Sequence, residues 1–306
     1  MSSCIILSFL QSLVSYILSR WASSDNLSTK GNTGNPIVDF YHGRELNPTF
    51  LGCSMKLQTF RFSMISLALL NVTMVTDSVL SNGGKVNPSV VIAATLQVLY
   101  AMDAMFFEEY YFYSHDYLNS GYGWSLISSY LTFPFLPTLI TRYMIYRSPE
   151  VEWYYLAMIG LLNILGYIIY RSSENQRCEL AKNPNNPKLS HLQTFETIQN
   201  RKLIVSGWWG LVRHPNYLGE LLIQWSWVLP AGMLKNIKVI LILQTSCHSE
   251  HTWCDGPCPV LPASGHHPDA GDQVCPDQQE EQEVGRTSSH DFSYEALFQE
   301  IWQCLG

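Results

Sequence analysis

The chain has 306 residues, of which 47% are hydrophobic and only 14% charged. A soluble domain carries about 25% charged residues, so this one lacks the charge to coat a water-facing surface. Its formal net charge of −7 is uneven: from Gln244 onward 11 Asp/Glu oppose one Arg, while the preceding part holds 17 Lys/Arg against 14 Asp/Glu.

The body is therefore apolar and slightly basic, ahead of an acidic tail. That balance would suit an anionic ligand, but it does not make a nucleic-acid domain, and direct nucleic-acid contact is not expected. Five of the eight cysteines, Cys247, Cys254, Cys258, Cys275 and Cys304, lie in the tail, and Cys4, Cys53 and Cys178 are scattered. This is not a disulfide framework.

In chain order, the apolar runs are Cys4–Leu18, Phe60–Leu80, Pro88–Phe107, Tyr122–Tyr146, Trp153–Tyr170 and Leu218–Leu243. Crossing a bilayer takes about 20 residues, and the first run is short of that. It lacks a clean small-residue cleavage site, and Arg20-Trp21 resembles an interfacial stop, so it is read as a short membrane helix rather than a signal segment. The fourth run contains Pro134 and Pro137 and is expected to kink. Tyr and Trp gather at several ends (Tyr122, Trp124, Trp153, Tyr154, Tyr155 and Tyr170) as interfacial belts do. No period-2 pattern competes, so the fold expected is all-α, a multi-pass transmembrane helical bundle over 1–243.

Two connecting segments are polar. Ser23–Lys56 is rich in Gly, Asn and Pro and is expected to be irregular. Arg171–Lys202 carries six basic residues against three acids, an excess that favours a cytoplasmic position and would equally suit a phosphate-bearing ligand. The tail, 244–306, has too little apolar surface to offset chain entropy and is expected to be disordered, apart from a short amphipathic helix in "FSYEALFQEIWQCLG". Cys254 and Cys258 have a C-x3-C spacing that zinc ligands use. No second ligand pair stands at a regular distance, so no metal site is expected.

Ionisable residues in membrane segments are costly and usually functional. Asp103 lies about one turn inside the end of the third run and is expected to face the bundle, while Glu108 and Glu109 suit the interface. The densest polar cluster is "SGWWGLVRHPNYLGE", Ser206–Glu220. Pro215 suits the first turn of a helix, whose free N–H groups and dipole, beside Arg213, would make an anion site. Trp209 could offer a face to a flat ring, and Asn216 and Tyr217 could hydrogen-bond an amide or ribose. A dinucleotide fits this description, although no Gly-rich strand–helix fingerprint is present. Read singly, Arg213 snorkelling to headgroups and tryptophans of the interfacial belt would also explain these residues.

That stretch resembles the signature of the sterol reductase family, which includes Δ14-sterol reductases, 7-dehydrocholesterol reductase and the membrane half of the lamin B receptor. Three further motifs match in order: "GNPIVDFYHGRELNP" (Gly34–Pro48), "LYAMDAMFFEE" (Leu99–Glu109) and "KNPNNPKLSHLQT" (Lys182–Thr194). The resemblance runs from about Gly34 to Gly232 and is nearest the Δ14-reductase and lamin B receptor branch.

The resemblance implies an all-helical enzyme of the endoplasmic reticulum or inner nuclear membrane that uses NADPH to reduce a sterol ring double bond, surrounded by membrane lipid. By carry-over the cofactor pocket takes Arg177, Ile204, Val205, Trp209, Asn216 and Tyr217; no catalytic residue is assigned. The chain departs from the family at Ala181 (basic in the family), Thr59 (acidic), Pro137 (tyrosine) and Glu220 (aspartate). The family's H-R-x-x-R-D-E-x-x-C block, which supplies the other half of the pocket, is not found after Met233. The expectation is therefore a bundle truncated relative to the family, with impaired reductase activity. Two alternatives stand beside it: a non-catalytic lamin B receptor-like protein with nuclear-envelope partners, and a methyltransferase of the isoprenylcysteine type, which shares the R-H-P-x-Y-x-G turn but not the other motifs.

Overall fold

The structure is a computed structural model and describes residues 2–81, 83–85, 87–183, 186–196 and 202–232. Among them ten α-helices follow in order: α1 (Ser2–Leu18), α2 (Pro36–His42), α3 (Met55–Ser81), α4 (Pro88–Phe106), α5 (His115–Leu118), α6 (Trp124–Thr132), α7 (Phe135–Arg147), α8 (Trp153–Lys182), α9 (Trp208–Leu211) and α10 (Pro215–Val228). Among the described residues four stretches are long and apolar enough to cross a membrane: Cys4–Trp21, Met55–Ser81, Pro88–Phe106 and Trp153–Lys182. The chain is thus an all-helical, multi-pass membrane bundle. The 27 residues of α3 extend about 40 Å at 1.5 Å per residue, enough for a hydrocarbon core about 30 Å thick.

Two antiparallel ribbons accompany the helices: β1 (Thr49–Phe50) with β2 (Cys53–Ser54), and β3 (Thr194–Glu196) with β4 (Lys202–Ile204). Strands of two or three residues are too short to show alternation, which is why the sequence pattern missed them.

Two apolar runs are organised differently from the expectation. The run Tyr122–Tyr146 is two helices, broken at Phe133–Pro134. Pro134 and Pro137 have no N–H to continue the ladder, and the Phe133 carbonyl accepts instead from Leu136 N at 3.2 Å. The segment from Arg171 is not a connection at its start, because α8 continues to Lys182. Its cations are paired, Arg171 with Asp103, Arg177 with Glu174 and Lys182 with Glu109, so the helix continues past its apolar part. The last run forms α10 and a 3-10 turn, Leu229–Ala231. Residues 233–243 and the tail, with its expected disorder and its Cys254–Cys258 pair, lie outside the described residues.

Three apolar clusters join the helices. Val90 and Ala93 of α4 meet Ile140 and Met144 of α7 and Val228, the last residue of α10. Phe60, Met64 and Leu67 of α3 pack on Ala101 of α4, Tyr111 and Phe133. Tyr122 gathers Leu126, Ile127 and Leu131. Hydrogen bonds then fix which helices meet. Asn71 Nδ2 of α3 donates to Gln97 Oε1 of α4 at 2.9 Å, Thr141 Oγ1 of α7 donates to Asn71 Oδ1 at 2.9 Å, and Gln97 Nε2 donates to the Pro137 carbonyl at 3.2 Å. All three side chains are buried, and in an apolar interior such a set is costly to leave incomplete.

The polar segment Ser23–Lys56 is ordered by local chemistry. Asn35 caps α2, its Oδ1 accepting from Ile37 N at 3.1 Å, with Pro36 in the first turn. Buried Asp39 accepts from Thr33 N at 2.7 Å, Thr33 Oγ1 at 2.8 Å and Gly34 N at 3.2 Å. Gly43, at φ +85°, lies so close to Gly123 that a Cβ there would stand 2.2 Å from the Gly123 nitrogen. Only glycine meets both demands.

Candidate functional site: the junction of α8, α9 and α10

On α8, Ser172, Glu174 and Arg177 follow the apolar part of the helix, with the last two one turn apart. The buried Glu174 carboxylate holds two partners. Its Oε2 accepts from Arg177 Nε at 3.0 Å and Nη2 at 2.6 Å, and its Oε1 accepts from Asn216 Nδ2 at 2.9 Å. Arg177 Nη1 also donates to the Tyr113 carbonyl at 3.1 Å. Charge-assisted bonds of this kind are the strong ones.

Asn216 is placed by the start of α10, where Pro215 occupies the first turn and is buried. The helix can approach because it packs glycine to glycine on α8. A Cβ on Gly219 would stand 2.4 Å from the Tyr170 nitrogen and 2.7 Å from the Gly166 carbonyl oxygen. The short helix α9 is tied to the same face, with Trp208 Nε1 donating to Ser172 Oγ at 3.0 Å.

Trp209 Nε1 of α9, a donor, and Asn216 Oδ1 of α10, an acceptor, are buried with no hydrogen-bond partner among the described residues, as are Asn175 Oδ1 and Gln176 Oε1 of α8. Buried polar atoms are normally satisfied, so open atoms on all three helices make this junction a candidate place for a ligand.

Of the six residues expected to line a cofactor pocket, the structure brings Arg177 and Asn216 together through Glu174. Trp209 sits in α9 next to Trp208. Ile204 ends β4, opposite Thr194. Val205 follows it, its N–H donating to the Gln193 carbonyl at 3.0 Å, and its own carbonyl reaches α9 beside Gly210. The Tyr217 ring stacks on His214, with centroids 5.0 Å apart. Arg213, considered as an anion ligand, is exposed.

Glu174 was not singled out in the sequence. Its i, i+3 spacing to Arg177 was the available signal, but treating Arg171 onward as a connection hid it. Two more polar groups stand in the bundle. Asp103 pairs with Arg171 and accepts from Tyr167 Oη at 2.9 Å, while the Arg171 guanidinium lies 4.0 Å over the Phe107 ring. Asp103 thus faces the bundle, as expected. Tyr100 Oη donates to Glu220 Oε1 at 3.2 Å. Outside the spans, Glu108 is held below the usual carboxylate range by its hydrogen bonds from Arg61, at 2.7 and 2.8 Å.

Of the positions that depart from the sterol reductase pattern, Thr59 is buried with its hydroxyl 2.6 Å from that of Tyr122. Tyr122 in turn accepts from Gln11 Nε2 at 2.7 Å, so the polar role at this position is kept without charge. Among the described residues no group of three or more His, Cys, Asp or Glu could hold a metal ion.

The family model described as Ergosterol biosynthesis ERG4/ERG24 family matches residues 1–244. The chain is 34% identical over 240 residues to Delta(14)-sterol reductase TM7SF2 of Mus musculus, covering 77% of this chain and 57% of that protein. It is 32% identical over 243 residues to Delta(14)-sterol reductase LBR of Gallus gallus, covering 78% and 38%. It is 32% identical over 208 residues to Delta(14)-sterol reductase erg24 of Schizosaccharomyces pombe, covering 67% and 49%. The chain spans about half the length of the curated relatives it matches.

Proposed function

Because the chain belongs to the Ergosterol biosynthesis ERG4/ERG24 family, we propose that it is a membrane-embedded sterol reductase of the Δ14 type that uses NADPH. The observation that carries this reading is the polar junction where α8, α9 and α10 meet. An open donor, Trp209 Nε1 of α9, and an open acceptor, Asn216 Oδ1 of α10, are buried there, and Asn216 shares the Glu174 carboxylate with the ion-paired Arg177. A ribose hydroxyl or a carboxamide can satisfy either atom, since each donates and accepts. The residues present therefore fit a dinucleotide. Arg177, Trp209, Asn216 and Tyr217 would hold it, with Ile204 at the end of β4 and Val205 just after it.

When bound, NADPH supplies the hydride. The chain's own residues orient it, exclude water and provide a proton. A protonated ring alkene is carbocation-like, so the reaction needs a positioned acid in dry surroundings. Glu220 stands one turn beyond Asn216 on α10, with the Tyr100 hydroxyl bonded to it. We assign this pair as the proton-delivering group. The reading includes a sterol substrate and a location in the endoplasmic reticulum or inner nuclear membrane, supported by the four apolar helices and the likeness to proteins named Delta(14)-sterol reductase.

The test is turnover by the purified chain in lipid vesicles, with NADPH and a sterol bearing a 14,15 double bond, read by mass spectrometry. Production of the saturated sterol, lowered roughly a hundredfold by Glu220→Gln, is expected. Nucleotide binding with no turnover would contradict the reductase reading and favour a non-catalytic membrane role.

A further inference from the structure

Tyr100 and Asp103 stand three apart on α4 and so share a face, yet each is engaged by a different helix. Tyr100 Oη donates to Glu220 Oε1 of α10 at 3.2 Å. The Trp227 ring, two turns further along α10, packs edge-on against the Tyr100 ring with centroids 5.1 Å apart. Asp103 is engaged by α8 through both of its oxygens. Oδ1 accepts from Tyr167 Oη at 2.9 Å, and Oδ2 accepts from Arg171 Nη2. Tyr167 and Arg171 are four apart, so α8 grips this one carboxylate from two successive turns. The Arg171 guanidinium is itself held 4.0 Å over the ring of Phe107, one turn beyond Asp103.

The same helix also fixes α10. Gly219, the residue before Glu220, crosses Gly166 and Tyr170 of α8 with no room for a Cβ. Helix α8 is thus the common reference for both partners of the Tyr100–Glu220 bond: backbone contact places Glu220, and Asp103 places the helix that carries Tyr100. At 3.2 Å the bond is longer than the roughly 2.5–3.0 Å usual for a hydroxyl donor, so a small turn or slide of α4 breaks it. A buried ion pair adds little net stability over apolar packing, but it can fix a register. A proton-delivering pair needs such a register, because reacting groups must be held to within about 0.5 Å.

Resting on the assignment of Tyr100 and Glu220 as the proton-delivering pair, we infer that Asp103 is a positioning residue for the reduction: clamped by Tyr167 and Arg171, it sets the rotation and height of α4 at which the Tyr100 hydroxyl meets Glu220. In this role Asp103 acts through Tyr100 and transfers no proton itself.

The experiment replaces the ion pair by apolar residues, Asp103→Leu together with Arg171→Met, so that no charge is stranded. Tyr167→Phe is a milder variant that keeps the ion pair, and it decides the matter should the paired variant fail to fold. Each is made in the native chain and in Tyr100→Phe, and turnover is measured in lipid vesicles with NADPH and a sterol bearing a 14,15 double bond. The paired variant should unfold near the native temperature and keep its sterol KM within about twofold, while kcat falls about ten- to a hundredfold. Tyr167→Phe should lose less, in kcat alone. In the Tyr100→Phe background the same replacements should lower kcat by less than about twofold further, because the group through which Asp103 acts is gone. A second readout needs neither turnover nor cofactor: the infrared carboxyl band of Glu220, identified by difference against Glu220→Gln, should shift in the paired variant as it does in Tyr100→Phe.

Equal losses with and without the Tyr100 hydroxyl, or a Glu220 band unmoved when the ion pair is replaced, overturn this inference and leave the proton-delivery assignment standing. Losses confined to unfolding temperature and sterol KM, with kcat kept, report a structural role and overturn it as well. Native turnover undiminished in both Glu220→Gln and Tyr100→Phe removes the assignment itself, and absence of native turnover removes the reductase reading; either ends the inference with it.

Discussion

Asn216 Nδ2 donates to Glu174 Oε1 across 2.9 Å, joining the first turn of α10 to the polar end of α8. The two residues are 42 positions apart, and one of them had no assigned role in the sequence. The bond depends on how closely the two helices approach, which the glycines set.

Gly219→Ala tests that approach. The added Cβ would meet backbone atoms of α8 at 2.4 and 2.7 Å, so a helix must shift rather than a side chain turn. Overpacking of this kind costs about 1–3 kcal/mol. Gly160→Ala, also on α8 and with nothing within 4 Å of its Cβ, is the control. Thermal unfolding in detergent should show a clear drop for Gly219→Ala and none for Gly160→Ala. Equal behaviour of the two would contradict the close crossing.

Much of this architecture was legible in the sequence, and the misses have physical causes. Pro215 marked the start of α10 because proline lacks only a hydrogen bond that a first turn does not make. Asp103 was expected to face inward because a lipid-facing carboxylate is too costly, and it pairs with Arg171. Glu174 and the true end of α8 were missed because hydropathy falls where Arg171 begins, and it does not register that each cation finds a carboxylate. The separation of α6 from α7 was foreseen only as a kink. Two prolines three residues apart remove the N–H donors of positions 134 and 137 within one turn, where one helix ends and another starts.

The Asn71–Gln97–Thr141 set tests whether buried polar groups hold α3, α4 and α7 together. Asn71→Leu strands Gln97 Oε1 and the Thr141 hydroxyl, each an unsatisfied buried group worth about 1–3 kcal/mol. Adding Gln97→Leu removes one of the stranded partners. The loss in the double variant, by thermal unfolding, should therefore be smaller than the two single losses combined. Additive losses would show that the bonds are not coupled.

Asp39 gives a pH dependence outside the membrane spans. Burial pushes its carboxyl up, but hydrogen bonds from the Thr33 N–H and hydroxyl and the Gly34 N–H, with Arg44 nearby, more than offset this and hold it below its ordinary value. A depressed carboxylate stabilises the fold above its unfolded pKa of about 3.9 and loses that contribution as pH falls through the lower folded value. Unfolding temperature should thus fall more steeply below about pH 4 in the native chain than in Asp39→Asn, which is already destabilised at neutral pH. Parallel curves for the two would contradict the role given to this cage.

The central claim is that the junction of α8, α9 and α10 holds a nucleotide, and NADPH binding to the detergent-purified chain tests it most directly. The native protein should bind saturably. Arg177→Ala, which leaves Glu174 as an unpaired buried charge, and Trp209→Ala, which removes the open donor, should each weaken binding about tenfold or more. Absence of saturable binding at any concentration, or undiminished binding in both variants, would contradict the account.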